Sequence, residues 1–395
     1  MFTDGVVYLD HNATTPVDPR VAEAMTPYLT TWFGNPSSGH HHGERPRQAL
    51  AAAREQVAGL IGARAPEVVF TGSGSEANLL ALRGAVLAAD RPHPHVITQA
   101  TEHPAVLETC RALARLHGVR VTTLPVDGDG LVVAAALEAA LTEETVLVSV
   151  MAANNETGVL QPVQELAALA RARGALFHCD AAQAAGKIPL DVRAWDVDLL
   201  TVVGHKMYAP KGVGALYVRD GVALEPVVYG GGQERGLRAG TENVALAVAL
   251  GAAADLAARD LATGAPARLL RLRDDLHHRL STALPGRVHL NGAIGRRLPN
   301  TLNVSIDGVP GSDLLAAAPS VAASTGSACH SGVRTPSPVL SAMGLDPGRA
   351  LGAVRLSLGR WSAAADVETA AAALIGAARL LATERPMLST PIGRP

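Results

Sequence analysis

The residue pattern predicts a mostly parallel α/β fold, and two observations carry that reading. Short β-branched runs recur along the chain, and Ala/Leu-rich helical stretches separate them. Strands interleaved with helical patterns of about 10–15 residues are the signature of a parallel sheet whose crossovers are helices. In such sheets ligands gather where strands end and loops begin.

Taken in order, "EVVF" (67–70) precedes the helical "SEANLLALRGAVLAA". "HVIT" (95–98) precedes "PAVLETCRALARLHG", and "VRVTTL" follows at 119–124. "TVLVSVMA" (145–152) leads through "VQELAALARARG" to "ALFHCD" (175–180). "VDLLTVVG" (197–204) and "VGALYVR" (213–219) complete the set. Beyond Asn243, "VALAVALGAAADLAARDLA" is expected to form a long helix. "RLLRLRDDLHHRLSTAL" is expected to be amphipathic, with leucines three to four apart. "NTLNVSI" (300–306), "AVRLSLG" (353–359) and the helical "DVETAAAALIGAARLLATE" then predict a smaller α+β domain. The Pro-rich end, "RPMLSTPIGRP", is expected to be a poorly ordered tail.

The totals exclude several classes. At 395 residues the chain exceeds one small core, and about 150 residues per domain predicts two. A hydrophobic fraction of 48% with 18% charged residues suits a globular protein. A formal net charge of -2 offers no attraction to nucleic acid or an anionic membrane. With 3% aromatics, stacking platforms for single strands are scarce. No stretch approaches the roughly 18 consecutive apolar residues of a membrane span. The start, "MFTDGVVYLDHNATTP", carries acidic residues and lacks a signal-peptide core. Cys110, Cys179 and Cys329 form a sparse, odd set without CxxC spacing. That argues against a disulfide scaffold and for a reducing compartment, so the expected location is the cytoplasm.

Two stretches carry chemistry. "GHKMYAPKGVGALYV" sets Lys206 between a strand and a Gly/Pro loop, where a lysine is ordinarily a solvated charge. Here it follows "HCDAAQ", in which Asp180 ends a strand expected in the same sheet. A pyridoxal phosphate site needs this pair, a lysine for covalent attachment and a carboxylate to keep the ring nitrogen protonated. "STGSACHSG" places Cys329 among small, flexible residues, whereas a structural cysteine ordinarily sits in apolar surroundings.

Further motifs extend over nearly the whole chain. They run from "YLDHNATTPVDPRV" and "FGNPSS" through "EVVFTGSGSEAN", "TEHPAVLETC", "LVSVMAANNETG" and "FHCDAAQAAGK". "YGGGQERGLRAGTEN" and "VRLSLGR" follow. With these motifs in this order, the chain resembles the pyridoxal-phosphate-dependent cysteine desulfurases of the NifS/IscS type, within the class V aminotransferase family.

The resemblance implies the type I fold of pyridoxal-phosphate-dependent transferases. Its large domain, 15–260, would hold a mostly parallel seven-stranded sheet flanked by helices. A smaller α+β domain, 1–14 with 261–385, would carry the cysteine loop, leaving 386–395 as the tail. Lys206 corresponds to the cofactor-bonded lysine that also moves the Cα proton, and Asp180 to the partner of the ring nitrogen. Gln183 and Asn155 resemble residues that hydrogen-bond the ring's phenolic oxygen, and His103 the imidazole stacked on the ring. Gly74, Ser75 and His205 resemble the phosphate seat, which suits a helix N-terminus. Thr241 resembles a phosphate contact supplied by the neighbouring subunit, implying a homodimer with shared sites. Arg355 resembles the arginine that binds the carboxylate of the substrate L-cysteine, with Asn35 as its helper. Cys329 would take the sulfur as a persulfide and pass it to an acceptor protein, an iron–sulfur scaffold or a thiolation carrier. The family commonly has a phosphate-contacting serine where this chain has Val203.

The scaffold is shared by selenocysteine lyases, other C–S lyases and class V aminotransferases, and fold alone does not choose among them. Cys329 favours the desulfurase, because an aminotransferase has no use for it. A non-catalytic scaffold protein would have lost Lys206, Asp180 or His103. His330 beside Cys329 either helps form the thiolate or is merely exposed. Cys110 and Cys179 fall in helix and strand patterns and are expected to be packing residues. His40, His41 and His42 are expected at adjacent strand positions facing alternate sides, so no metal site is expected.

Overall fold

The computed structural model describes residues 5–89, 91–325 and 335–384. Cys329, His330 and the tail 386–395 lie outside the described residues. The strands, in chain order, are β1 (Val7–Tyr8), β2 (Val68–Thr71), β3 (His95–Gln99) and β4 (Arg120–Leu124). Next come β5 (Thr145–Ser149), β6 (Leu176–Asp180), β7 (Leu199–Val203) and β8 (Gly214–Val218). The last are β9 (Val288–Leu290), β10 (Thr301–Ile306), β11 (Val321–Ala322) and β12 (Ala353–Ser357).

The seven β-branched runs form one sheet in the order β2-β8-β7-β6-β5-β3-β4. β8 runs antiparallel to both β7 and β2, and the other pairings are parallel. β3, β5 and β7 are buried at every position, as expected where helices cover both faces. Because β8 reverses direction between two strands, β2 points the same way as β7. The carboxyl ends of β2, β3, β5, β6 and β7 therefore share one edge. The segments leaving that edge carry Ser73, His103, Asn155, Asp180 and Lys206, which is how the fold assembles its site.

A second core unites the beginning and the end of the chain. β12, β10 and β9 form an antiparallel sheet, and β1 pairs in parallel with β11. Val7 and Leu9 share one buried cluster with Leu276, Leu302, Leu356 and Leu374. The helices Ala265–Ala283 and Ala364–Glu384 supply the outer layer.

One expectation is corrected. His41 and His42 are not strand residues; they open the 21-residue helix His41–Ile61, with His40 as its N-cap. Leu50, Ala53, Val57 and Ile61 recur on one buried face at helical spacing. That face meets the helix Val244–Ala262, where a Cβ on Gly251 would lie 2.6 Å from the Ala53 Cα. Glycine permits the close approach.

Candidate active site

At the shared edge, Ser73 caps the helix Gly74–Ala88, its hydroxyl accepting from the Glu76 N–H at 3.1 Å. The first-turn N–H groups that remain suit an anion. Gly74 lies against β7, since a Cβ there would come within 2.4 Å of Val203 Cγ2. Val203 thus fills space at the helix start and offers no side-chain hydrogen bond to a ligand. One turn on, Asn78 Nδ2 donates to Asp180 Oδ2 at 2.8 Å, and the Ala182 N–H donates to Oδ1 at 2.9 Å. These donors orient the carboxylate.

Lys206 follows β7 in a single turn, Gly204–Lys206. Its Nζ donates to the carbonyls of Asn12 and Ala13, both at 2.7 Å. Burial, reinforced by the Arg355 cation and opposed by Asp10 and Asp180, lowers its pKa to about 8. A usable fraction of the amine is therefore unprotonated near neutral pH. His205 Nδ1 lies 3.1 Å from Thr14 Oγ1, and burial with nearby lysine charge lowers its pKa to about 4. His103 caps the helix Pro104–His117, its Nδ1 accepting from the Ala105 N–H at 3.1 Å. That bond leaves Nε2 as the protonated nitrogen. Enclosure by the cavity walls and the charge of Lys206 hold its pKa down, against Asp180.

Gly74, Ser75, His103, Asn155, Asp180, Gln183, His205, Lys206 and Arg355 all line one cavity of about 540 Å³. Asn35 and Thr241 are exposed and stand outside its lining. Arg355 is buried on β12, but its Nη2 already donates to Asp10 Oδ1 at 2.7 Å and its Nη1 to the Asn155 carbonyl at 3.2 Å. Its Nε is buried without a partner among the described residues. Cys110 and Cys179 are buried and free, with both thiol pKa values pushed up by burial. Neither suits a thiolate nucleophile.

Three contributors carry no role in the sequence reading. Asn12 and Asp10 lie in "YLDHN", and only the fold shows them beside Lys206 and Arg355. Lys187 ends the motif "FHCDAAQAAGK"; its Nζ donates to Gln183 Oε1 at 2.6 Å and Asn12 Oδ1 at 3.2 Å. Burial, with Lys206 and Arg355 nearby, depresses its pKa well below the lysine range.

Glu102, beside His103, is 3% exposed, and burial followed by Asp180 raises its pKa to about 8. Its Oε1 accepts from the Met151 N–H at 2.6 Å and from Gln99 Nε2 at 3.0 Å. Between the ordinary value of 4.5 and about 8, the folded chain holds a proton that the unfolded chain has released. Stability therefore falls as pH rises through that window, by at most about 1.4 kcal/mol per pH unit. Glu102→Gln keeps an acceptor oxygen and removes the titration. Thermal melts across that window are expected to show a flatter pH slope for the variant; equal slopes would exclude a protonated Glu102.

The cavity's donor set fits pyridoxal phosphate. An amine held partly unprotonated, an oriented carboxylate and a helix N-terminus with two serines and a glycine surround one volume of suitable size.

Comparisons with known proteins agree with this geometry. The family model for aminotransferase class-V matches residues 7–369. A cysteine desulfurase of Trichormus azollae is 48% identical over 365 residues, covering 92% of this chain and 90% of that protein. The mitochondrial cysteine desulfurase of Drosophila melanogaster is also 48% identical, over 92% of this chain and 78% of that protein. Among solved structures, a NifS-like protein superposes with a TM-score of 0.87 at 36% identity, covering 96% of this chain and all of the other. The structure of SspA in complex with cysteine gives a TM-score of 0.80 at 35% identity, over 90% of this chain and 99% of that one. With its site residues gathered at one sheet edge and its sequence nearly half shared with such enzymes, the chain belongs to the aminotransferase class-V family, among the cysteine desulfurases of NifS/IscS type.

Proposed function

We propose that this chain is a pyridoxal-phosphate-dependent cysteine desulfurase. It converts L-cysteine to L-alanine, keeps the sulfur as a persulfide on Cys329, and passes it to an acceptor protein such as an iron–sulfur scaffold or thiolation carrier. The carrying observation is Lys206, an amine with its pKa lowered to about 8, facing the same cavity as Asp180 and a helix N-terminus.

When bound, pyridoxal phosphate supplies an electron-withdrawing ring that stabilises negative charge at the substrate's Cα. Ser73, Gly74, Ser75 and His205 would hold its phosphate, Asp180 its ring nitrogen, and Lys206 its aldehyde carbon. Asn155 and Gln183 would face the phenolic oxygen. Lys206 moves the Cα proton, and His103, with its proton on Nε2, lines the same cavity and can donate that proton there. Arg355 draws the substrate carboxylate, with Asn35 assisting. The thiolate of Cys329 would attack the substrate sulfur, forming the S–S bond of the persulfide as the Cβ–S bond breaks; the electron pair of that bond stays with Cβ, which takes up a proton to leave alanine.

Asn35 and Thr241, exposed and outside the cavity, fit a homodimer in which each subunit completes its partner's site. Leu29 at 60%, Phe33 at 70% and Tyr229 at 64% exposure offer apolar surface for a second copy. The reading places the enzyme in the cytoplasm, where thiols stay reduced.

The test is direct. Cofactor-loaded protein given L-cysteine and a reductant should yield alanine and sulfide in equal amounts. Pyruvate and ammonia in place of alanine would refute the reading.

Lys187 adds a second expectation. Because its Nζ donates to Gln183 Oε1, Gln183 must present Nε2, which donates to the Asn12 carbonyl at 2.9 Å. Lys187→Met removes the group that fixes this amide, and pyridoxal phosphate affinity is expected to fall about tenfold. Equilibrium dialysis measures this; an unchanged affinity would mean that Lys187 merely packs.

A further inference from the structure

A second cavity, of about 450 Å³, lies away from the active site among the helix Ala265–Ala283, β9, β10 and the turn 291–298. Arg273, Arg297 and Arg349 line it, with His277 and His289. Asp274 is its one lining carboxylate among the described residues, and it pairs with Arg273 at 2.6 Å. Arg297 and Arg349 have no carboxylate partner within 4.0 Å among those residues.

What holds these guanidinium groups is one short stretch of backbone. Arg297 is 7% exposed, and its Nη2 donates to the carbonyls of Asn291, Gly292 and Ala293 at 3.0, 2.8 and 3.0 Å. Its Nη1 is buried without a partner among the described residues. Arg349 donates to the Leu290 carbonyl at 2.8 Å and to Asn291 Oδ1 at 3.0 Å. Arg273 Nη1 donates to the Leu298 carbonyl at 2.8 Å. Carbonyl dipoles orient all three cations, and of the three only Arg273 has a carboxylate partner among the described residues. Burial, followed by the Arg273 charge, presses the Arg297 pKa down to about 10, against the opposing charges of Asp274 and Asp129. Stapling the turn explains the individual bonds. It does not explain why an open volume of small-molecule size adjoins three such groups.

We propose that this cavity binds a small, multiply charged oxyanion, a phosphate group or a di- or tricarboxylate, between Arg349 and His277, with the buried charge of Arg297 behind them. Planar guanidinium forks match both oxyanions. Leu290 and Leu302 in the wall, with Ile294 83% exposed beside them, suit an anion on a short carbon skeleton.

The test uses enzyme saturated with pyridoxal phosphate, so that the cofactor's own phosphate seat is filled. Titration calorimetry at low ionic strength, with inorganic phosphate and separately with citrate, should show saturable binding of one anion per chain. Binding of phosphate alone assigns a phosphate group, and binding of citrate alone a carboxylate. Arg349→Gln should weaken binding about tenfold or more while Arg349→Lys retains most of it. Phenylglyoxal labelling supplies a readout without substitution: the anion should protect Arg349 and leave the exposed Arg20 reactive. Absence of saturable binding, wild-type affinity in Arg349→Gln, or no protection of Arg349 would overturn the proposal.

Discussion

Lys206→Ala is expected to lower sulfide release about 10⁴-fold or more. The substitution removes the amine proposed to bond the cofactor and move the Cα proton, and no other lysine lines the site except Lys211. Lys187 is no substitute, since its Nζ is committed to Gln183 and Asn12. The helix N-terminus and Asp180 remain, so the variant should still bind pyridoxal phosphate while losing the absorbance of the lysine-bonded form. Sulfide assay and absorbance together check this. Retention of even a tenth of the wild-type rate would rule out the proposed role of Lys206.

Cys329→Ser is expected to behave differently, losing sulfide release about 10³-fold or more with normal cofactor absorbance. A serine hydroxyl is a poor nucleophile toward sulfur at neutral pH, whereas a thiolate is a good one. Both flanks of the segment are held by hydrogen bonds. Ser324, in the cavity lining, exchanges two backbone hydrogen bonds with Arg355, at 3.4 and 2.6 Å. Ser337 donates to Glu156 Oε2 at 2.5 Å while capping the helix Pro338–Ala342. Full turnover by the serine variant would remove the persulfide step and favour another C–S lyase reaction.

The sheet was legible because its strands, apart from the edge strand β4, are buried on both faces and so stand out as apolar, β-branched runs between helical patterns. The helix Val244–Ala262 coincides with its Ala/Leu stretch for the same reason. The helix His41–Ile61 is harder to read, since it opens on histidines, holds Pro46 in its second turn, and mixes arginine with its apolar face. β1, β9 and β11 have two or three residues each, and only distant partners define them. In the site, motif order located nine cavity-lining residues. Asn78 was within reach of the same reasoning, four positions after Gly74 and so one helical turn along. Glu102, Lys187 and Asp10 were not, because their roles arise from burial and from neighbours remote in the chain. Arg355 shows the limit most clearly: its type and strand were readable, but not its prior engagement with Asp10.

The N-terminal segment also dictates when the enzyme can come into being. Asn12 and Ala13 seat Lys206, Asp10 holds Arg355, and Val7 and Leu9 find their packing among residues beyond 270. A ribosome adding about 5–20 residues per second releases those last partners only tens of seconds after residue 13 has emerged. Until then the central sheet can assemble around an unfinished catalytic pocket. A nascent chain is thereby kept from generating reactive sulfur, and competence arrives only with near-complete synthesis.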